Sequence, residues 1–173
     1  MLSKKLEEAI NQQINAELWS AYLYLSMSMH LEATGFKGMA NWFFIQFREE
    51  QDHAKIFMNY VNSRGGVVKL FPIDKVDTEW KSPLDAFQDT LKHEEKVTSL
   101  INNLAHIAYD EKDFASMNML NWFIDEQVEE EENARDIIDA LDKLGSSKNG
   151  LYMFDKELSS RTYSVPSPLA SAK

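Results

Sequence analysis

Between Leu84 and Leu144 the chain contains neither glycine nor proline, and so long a stretch without a helix breaker points to long helices as the building material. The punctuation elsewhere divides the remainder in the same way. One tract runs from Ser3, a candidate N-cap, to Thr34 and Gly35, and a second from about Phe36 to Arg64, where Gly65 and Gly66 stop it. A third opens on Ser82, Pro83, Leu84 and Asp85, which is a serine cap, a proline at the first helical position and an acid in the first turn. The unbroken stretch divides near Tyr109 to Asp113, where Asp110 or Asp113 caps a fourth tract that Gly145 closes. Helices of roughly 28 residues are about 42 Å long, so the expected fold is all-α, an elongated four-helix bundle. Short links make the first two tracts, and the last two, antiparallel neighbours. Residues 65–81 are long enough for one crossover along the bundle after helix 2. A shorter fifth helix, about Ser147 to Ser159, carries Leu151, Phe154 and Leu158. The expected domain is therefore 1–159. Residues 160–173, with Pro166 and Pro168, have too little apolar content to fold on their own and are expected to be a disordered tail.

Composition removes several classes of function. At 173 residues and 44% apolar content, one domain with a real core is expected. A formal net charge of -10 repels phosphate backbones and anionic lipid headgroups and attracts cations, so neither nucleic acid nor a membrane is an expected partner. Without cysteine there is no disulfide, no thiolate metal site and no iron–sulfur cluster, and any metal site must use oxygen and nitrogen. The amino terminus reaches charge at Lys4 and Lys5, too soon for a secretory signal, and the expected location is cytoplasmic.

Each helical tract carries a polar intrusion on an otherwise apolar face. Glu17 shares its face with Ile10, Ile14, Ala21 and Tyr24, and Glu50 shares its own with Phe43, Phe47, Ala54 and Phe57, with His53 one turn on. Glu94 lies among Phe87, Leu91, Val97 and Ile101, while Gln127 and Glu130 lie among Leu120, Phe123, Ile124, Ala134 and Ile137. The spacing relates them, since Glu17 to Glu50 and Glu94 to Gln127 are both 33 residues. Adding 77 to Glu17, Glu50 and His53 gives Glu94, Gln127 and Glu130. Two helical hairpins thus present matching polar groups about halfway along the bundle.

Four buried carboxylates facing one another cannot all stay ionised without compensation. Glu17, Glu50, Glu94 and Glu130 sum to a charge that two divalent cations match, and His53 and Gln127 add neutral ligands. Oxygen donors with one imidazole suit iron, manganese or zinc better than calcium, iron being the redox-active candidate.

Bundles that bind two irons combine lone glutamates with Glu-x-x-His pairs. Here Glu50 and His53 supply one such pair, and its counterpart is Gln127 with Glu130. Together with Asn15-Ala16-Glu17-Leu18, Glu49-Glu50-Gln51-Asp52-His53, His93-Glu94, Glu126-Gln127-Val128-Glu129-Glu130, Asn149-Gly150-Leu151-Tyr152 and Asp155-Lys156-Glu157-Leu158, this pattern resembles bacterial non-haem ferritin over nearly the whole chain. The resemblance implies a ferroxidase that oxidises Fe(II) with dioxygen or hydrogen peroxide and stores ferric oxide-hydroxide in a shell of twenty-four subunits. It implies that Glu17, Glu50 and His53 hold one iron, that Glu50, Glu94 and Glu130 hold the other, and that Gln127 orients dioxygen or water. It further implies a third iron on Glu49, Glu126 and Glu129 with Glu130 shared, and electron donation by Tyr24 and Trp122. Haem is not expected, because haem-containing bacterioferritin repeats Glu-x-x-His in its fourth helix and follows the second-helix glutamate with methionine. Here those positions are Glu130 and Gln51. Rubrerythrin-like proteins need cysteines, which are absent.

The remaining features read more plainly. His30, His93 and His106 are expected to be structural, and the eight methionines to be packing. Trp42, Phe43, Phe44, Ile45 and Phe47 exceed what a bundle interior covers and point to a subunit interface. Two other readings of the same residues stay open. One is a di-iron oxidase of an organic substrate, and the other a metal-free helical bundle serving as an interaction protein.

Overall fold

A computed structural model describes residues 2–170. Its helices are α1 (Lys4–Thr34), α2 (Lys37–Ser63), α3 (Pro83–Asp110), α4 (Phe114–Leu144), α5 (Lys148–Leu158) and α6 (Ser167–Ala170). Caps set the boundaries. The Ser3 and Ser82 hydroxyls accept from the Leu6 and Asp85 amides, and Pro83 occupies the start of α3. Gly35 ends α1 at φ 94°, in the left-handed conformation that glycine adopts without strain. Of the two aspartates that could open the fourth helix, Asp113 does so, accepting from Ser116, while Asp110 completes α3.

α1 packs chiefly on α2 and α3 on α4, and the hairpins meet through α1 and α3. The crossover runs along α1. The Asn11 amide donates to the Val67 carbonyl and accepts from the Lys69 amide near its beginning, and Ser26 donates to the Asp77 carbonyl near its end. Trp80, buried against His30, anchors its last turn at the far end of α1. α3 therefore starts at the end of the bundle where α1 finishes and α2 begins, and the order is up-down-down-up. Glu17, Glu50, Glu94 and Glu130 all lie 11 to 17 residues from that end, within about 10 Å of one level at 1.5 Å per residue. One apolar cluster, including Tyr24, Met27, Phe43 and Phe87, lies between this level and that end. A second, including Ile10, Ile14, Phe57, Ile101 and Phe123, fills the other half.

α5 closes one end through an unusually close approach. The first residues of α2 have no cap from Phe36, and the Asp155 carboxylate of α5 instead accepts from the Met39 amide at 2.9 Å. Here a negative group meets the positive end of the helix dipole. The contact depends on Gly38, where a Cβ would stand 1.5 Å from the Asp155 carbonyl oxygen. Gly38→Ala is expected to push α5 away, at about 1–3 kcal/mol for overpacking, and to lower the calorimetric midpoint by roughly 3–10 °C. A change below about 1 °C would show that α5 does not need this contact.

The aromatic stretch of α2 is covered differently from the expectation of a subunit interface. Trp42, Phe43 and Ile45 are already buried within the chain, leaving Phe44, at 43% exposure, as its open ring. Leu151, Phe154 and Leu158 of α5 join the Trp42 and Phe43 cluster, and the Arg161 guanidinium lies 4.6 Å over Trp42. These segments follow the bundle in sequence, so their packing on α2 is invisible to periodicity within α2. Residues 160–170 lie against α2, through Arg161, Tyr163 and α6. Residues 171–173 of the expected tail are outside the described residues.

Candidate metal centre

Helical phase brings the polar groups inward. Each of Glu17, Glu50, His53, Glu94, Gln127 and Glu130 is only 1 to 4% exposed. Ligand atoms of Glu17, Glu50 and His53 all come within 4.8 Å of one another, the one such metal-ligand group among the described residues. His53 Nδ1 is 3.5 Å from Glu50 Oε2, as one turn of helix dictates. Glu94 and Glu130, from the other hairpin, face Glu50 as charges. Their carboxylates are held by neighbours: Tyr24 donates its hydroxyl to Glu94, the Gln127 amide donates to Glu94 Oε2 at 3.2 Å, and Gln46 donates to Glu130 Oε2 at 2.8 Å.

The electrostatics follow from that crowding. Burial, then repulsion from Glu50, holds the Glu17 carboxyl well above the usual carboxylate range. Burial, then Glu94 and Glu130, does the same to Glu50, and burial raises Glu94. Burial and the Glu94 charge push Glu130 up to about 8. Burial and mutual repulsion therefore favour the protonated over the ionised form of these carboxyls in the absence of a cation, and a divalent ion takes the place of protons when it binds. Two atoms of this group are also unsatisfied, because Glu17 Oε2 and His53 Nε2 are buried without a hydrogen-bond partner. Orphaned carboxylate oxygen and imidazole nitrogen on one three-residue group are donors suited to a first-row transition metal.

Glu49, Glu126 and Glu129 lie outside this layer, toward solvent. Glu129 is exposed, and the Glu126 and Glu49 side chains retain 26% and 17% of their surface. Glu126 Oε1 is 3.9 Å from the unpartnered His53 Nε2, and Glu49 is paired with Arg161 at 2.7 Å. Trp122 stands edge-on to His53 at 5.5 Å between ring centroids. The other histidines are away from the layer or satisfied. His93 bonds Ser20 and packs on Trp19, burial lowering its pKa to about 4; His30 packs on Trp80, and His106 is a surface partner of Asp110.

Several supporting residues escape a reading based on carboxylates. Gln13 donates to Glu17 Oε1 at 2.8 Å, Gln46 to Glu130, and Gln127 also reaches Thr98. A signal for the first two was present: Gln13 and Gln46 precede Glu17 and Glu50 by one turn and repeat the same spacing of 33. Arg161 carried no such signal, since its partner Glu49 is 112 residues away.

Comparison with known proteins bears on what such a layer does. Residues 7–144 match the family described as Ferritin, ferritin-like domain. The chain is 44% identical over 161 residues to a bacterial non-heme ferritin of Bacteroides fragilis, covering 93% of this chain and all of that one. It is 41% identical over 163 residues to a bacterial non-heme ferritin of Staphylococcus haemolyticus, covering 94% and 98%. Among solved structures, an open-pore ferritin from the archaeon Archaeoglobus fulgidus superposes with a TM-score of 0.93 at 47% identity, covering 94% of this chain and 100% of that chain.

Proposed function

The chain belongs to the ferritin family, and on that footing we propose that its buried carboxylate layer is the ferroxidase centre. The protein stores iron, oxidising Fe(II) to Fe(III) and retaining the ferric product in a homo-oligomeric shell. In our reading Glu17, Glu50 and His53 take one ferrous ion, and Glu50, Glu94 and Glu130 take a second, Glu50 being shared. The observation that carries it is the convergence of Glu17, Glu50 and His53 within 4.8 Å, with donors on two of them left orphaned in the interior.

Two ferrous ions release two electrons, the number that converts dioxygen with two protons to hydrogen peroxide, or hydrogen peroxide with two protons to two waters. The carboxyls can supply those protons, since Glu17, Glu50, Glu94 and Glu130 are all raised and give up protons when they ligate. Gln13 and Gln46 hold the Glu17 and Glu130 carboxylates in place. Gln127, beside Glu94, is assigned to orient the oxidant or water. Tyr24, bonded to Glu94, and Trp122, beside His53, are assigned as electron donors.

Outside the layer we assign a third iron to Glu49, Glu126 and Glu129, with Glu130 shared. The free His53 nitrogen facing Glu126 supports a passage between the two levels. For the shell we propose twenty-four copies. α5 supports an intersubunit role, since none of its residues is fully buried in the chain and Tyr152 and Met153 are open. Among the described residues no helix is long and apolar enough to cross a membrane, and we propose a cytoplasmic location.

The test is aerobic addition of ferrous iron to the metal-free protein, followed by ferric absorbance and by the iron retained after gel filtration. Rapid oxidation with far more iron retained in solution than the three ions per chain assigned above is the expected result. Retention of two ions and no more would favour an oxidase of an organic substrate, and no binding would leave a structural bundle.

A further inference from the structure

Arg161 ties the segment after α5 to the outer carboxylates. Its Nη2 donates to Glu49 Oε2 at 2.7 Å, and its Nη1 donates to the Trp42 carbonyl at 3.2 Å. Two residues on, the Tyr163 hydroxyl donates to the Asp52 carboxylate, and the Arg48 guanidinium lies 3.7 Å over the Tyr163 ring. Residues 161–163 are thus a strap across α2, fastened on either side of Glu50. Facing it, Glu126 Oε1 lies 3.9 Å from His53 Nε2, an imidazole nitrogen that is buried and unpartnered. The charges of Glu49, Glu126 and Glu129 act on one another across this gap.

A cation entering the gap meets two groups free to ligate it and one already held. Glu126 and Glu129 are available, whereas Glu49 is neutralised by a guanidinium. A divalent ion on Glu49 would stand a few ångströms from that fixed positive charge, in a half-buried place where salt screens little. The two cations compete for one carboxylate.

We propose that Arg161 is a built-in counter-cation for Glu49, displaced when the outer carboxylates take up a metal ion, so that strap docking and outer-site occupancy exclude each other. Arg161 is a positioning residue acting through Glu49. The inference rests on the reading of Glu49, Glu126 and Glu129 as iron ligands. Coupling between two sites is reciprocal: whatever factor the docked strap takes from metal affinity, bound metal takes from strap docking. For one charge-assisted pair with partial exposure, that factor is about fivefold.

The experiment uses the assembled, full-length, metal-free protein and zinc(II), which titrates the sites without redox turnover. Calorimetry on the wild type, R161Q, R161K and E126Q/E129Q is combined with hydrogen exchange of the strap amides between two and three equivalents of zinc. The expected result is a third zinc per chain, absent from E126Q/E129Q and bound about fivefold tighter by R161Q. R161K, keeping the charge, is expected to stay near the wild type. Exchange at residues 161–163 of the wild type is expected to accelerate as the third zinc binds. A third zinc of equal affinity in R161Q, or strap exchange indifferent to it, overturns the counter-cation and leaves the outer site standing. Absence of a third zinc from every protein overturns the outer site, and the counter-cation with it.

Discussion

Glu50→Gln combined with His53→Ala is expected to slow the initial oxidation of ferrous iron by about a hundredfold or more, towards the rate in buffer alone. The loss of a supporting partner at a metal site costs about 10- to 100-fold, and these two residues are direct ligands in the proposed centre. Glu50 has the larger expected share because in the proposed centre both irons share it. Loss of activity alone could come from misfolding, so the stability of the metal-free Glu50→Gln variant supplies a second readout of opposite sign. Burial and two facing carboxylates make the ionised Glu50 unfavourable without metal, and a neutral amide of the same shape removes that penalty. The metal-free variant should therefore melt higher than the wild type at pH 7.5 while oxidising iron more slowly. A double variant that oxidises iron within threefold of the wild type would remove Glu50 and His53 from the centre.

The stability of the metal-free protein is expected to fall as pH rises from about 5 to 8, and divalent metal to reverse that slope. A glutamate with an ordinary value near 4.5 in the unfolded chain reaches about 8 at Glu130 in the fold. Glu17, Glu50 and Glu94 are also raised, burial being the first cause in each. Between the two values the folded chain keeps protons that the unfolded chain has lost, so each pH unit costs about 1 kcal/mol per such carboxyl. The contribution is fully present below about 4.5 and lost as pH passes the folded value. Asp113 and Glu131 are lowered by Arg64 and Thr98 respectively, and their opposing contributions are lost only in acid, whereas buried His93, lowered to about 4, offsets one such carboxyl below the ordinary histidine value near 6.5. Zinc, by taking the place of the protons, should raise the melting point more at pH 7.5 than at 5.5 and release protons to the buffer. Melting of the metal-free protein that is flat between pH 5.5 and 7.5 would mean that these carboxyls are not protonated together in the fold.

Much of the architecture was legible because helices advertise themselves locally. Serine caps at Ser3 and Ser82, the proline at position 83 and the glycines at 35 and 145 act within a few residues of their own position. The central residues were legible for a related reason. A carboxylate in the middle of an apolar face is costly wherever that face is buried, so Glu17, Glu50, Glu94 and Glu130 stand out before any packing is known. Among the neutral helpers, Gln13 and Gln46 share the repeat of 33 with the carboxylates, whereas Thr98 is unremarkable on a helix and only its partner Gln127 shows what it does.

The amino-acid sequence by itself determined the four long helices, the single crossover and the level at which the charged groups meet, because 3.6-residue periodicity, capping and the repeat of 33 are properties of neighbouring positions. Tertiary structure alone decided which carboxylates are held by tyrosine or glutamine. It also decided that Asp155 caps α2 across the Gly38 contact, and that Arg161 neutralises Glu49. These pairs lie more than 100 residues apart in sequence, 116 for Asp155 and Met39 and 112 for Arg161 and Glu49. An ion pair or a cap formed over that separation depends on where two segments are brought to rest, and no local pattern encodes that position.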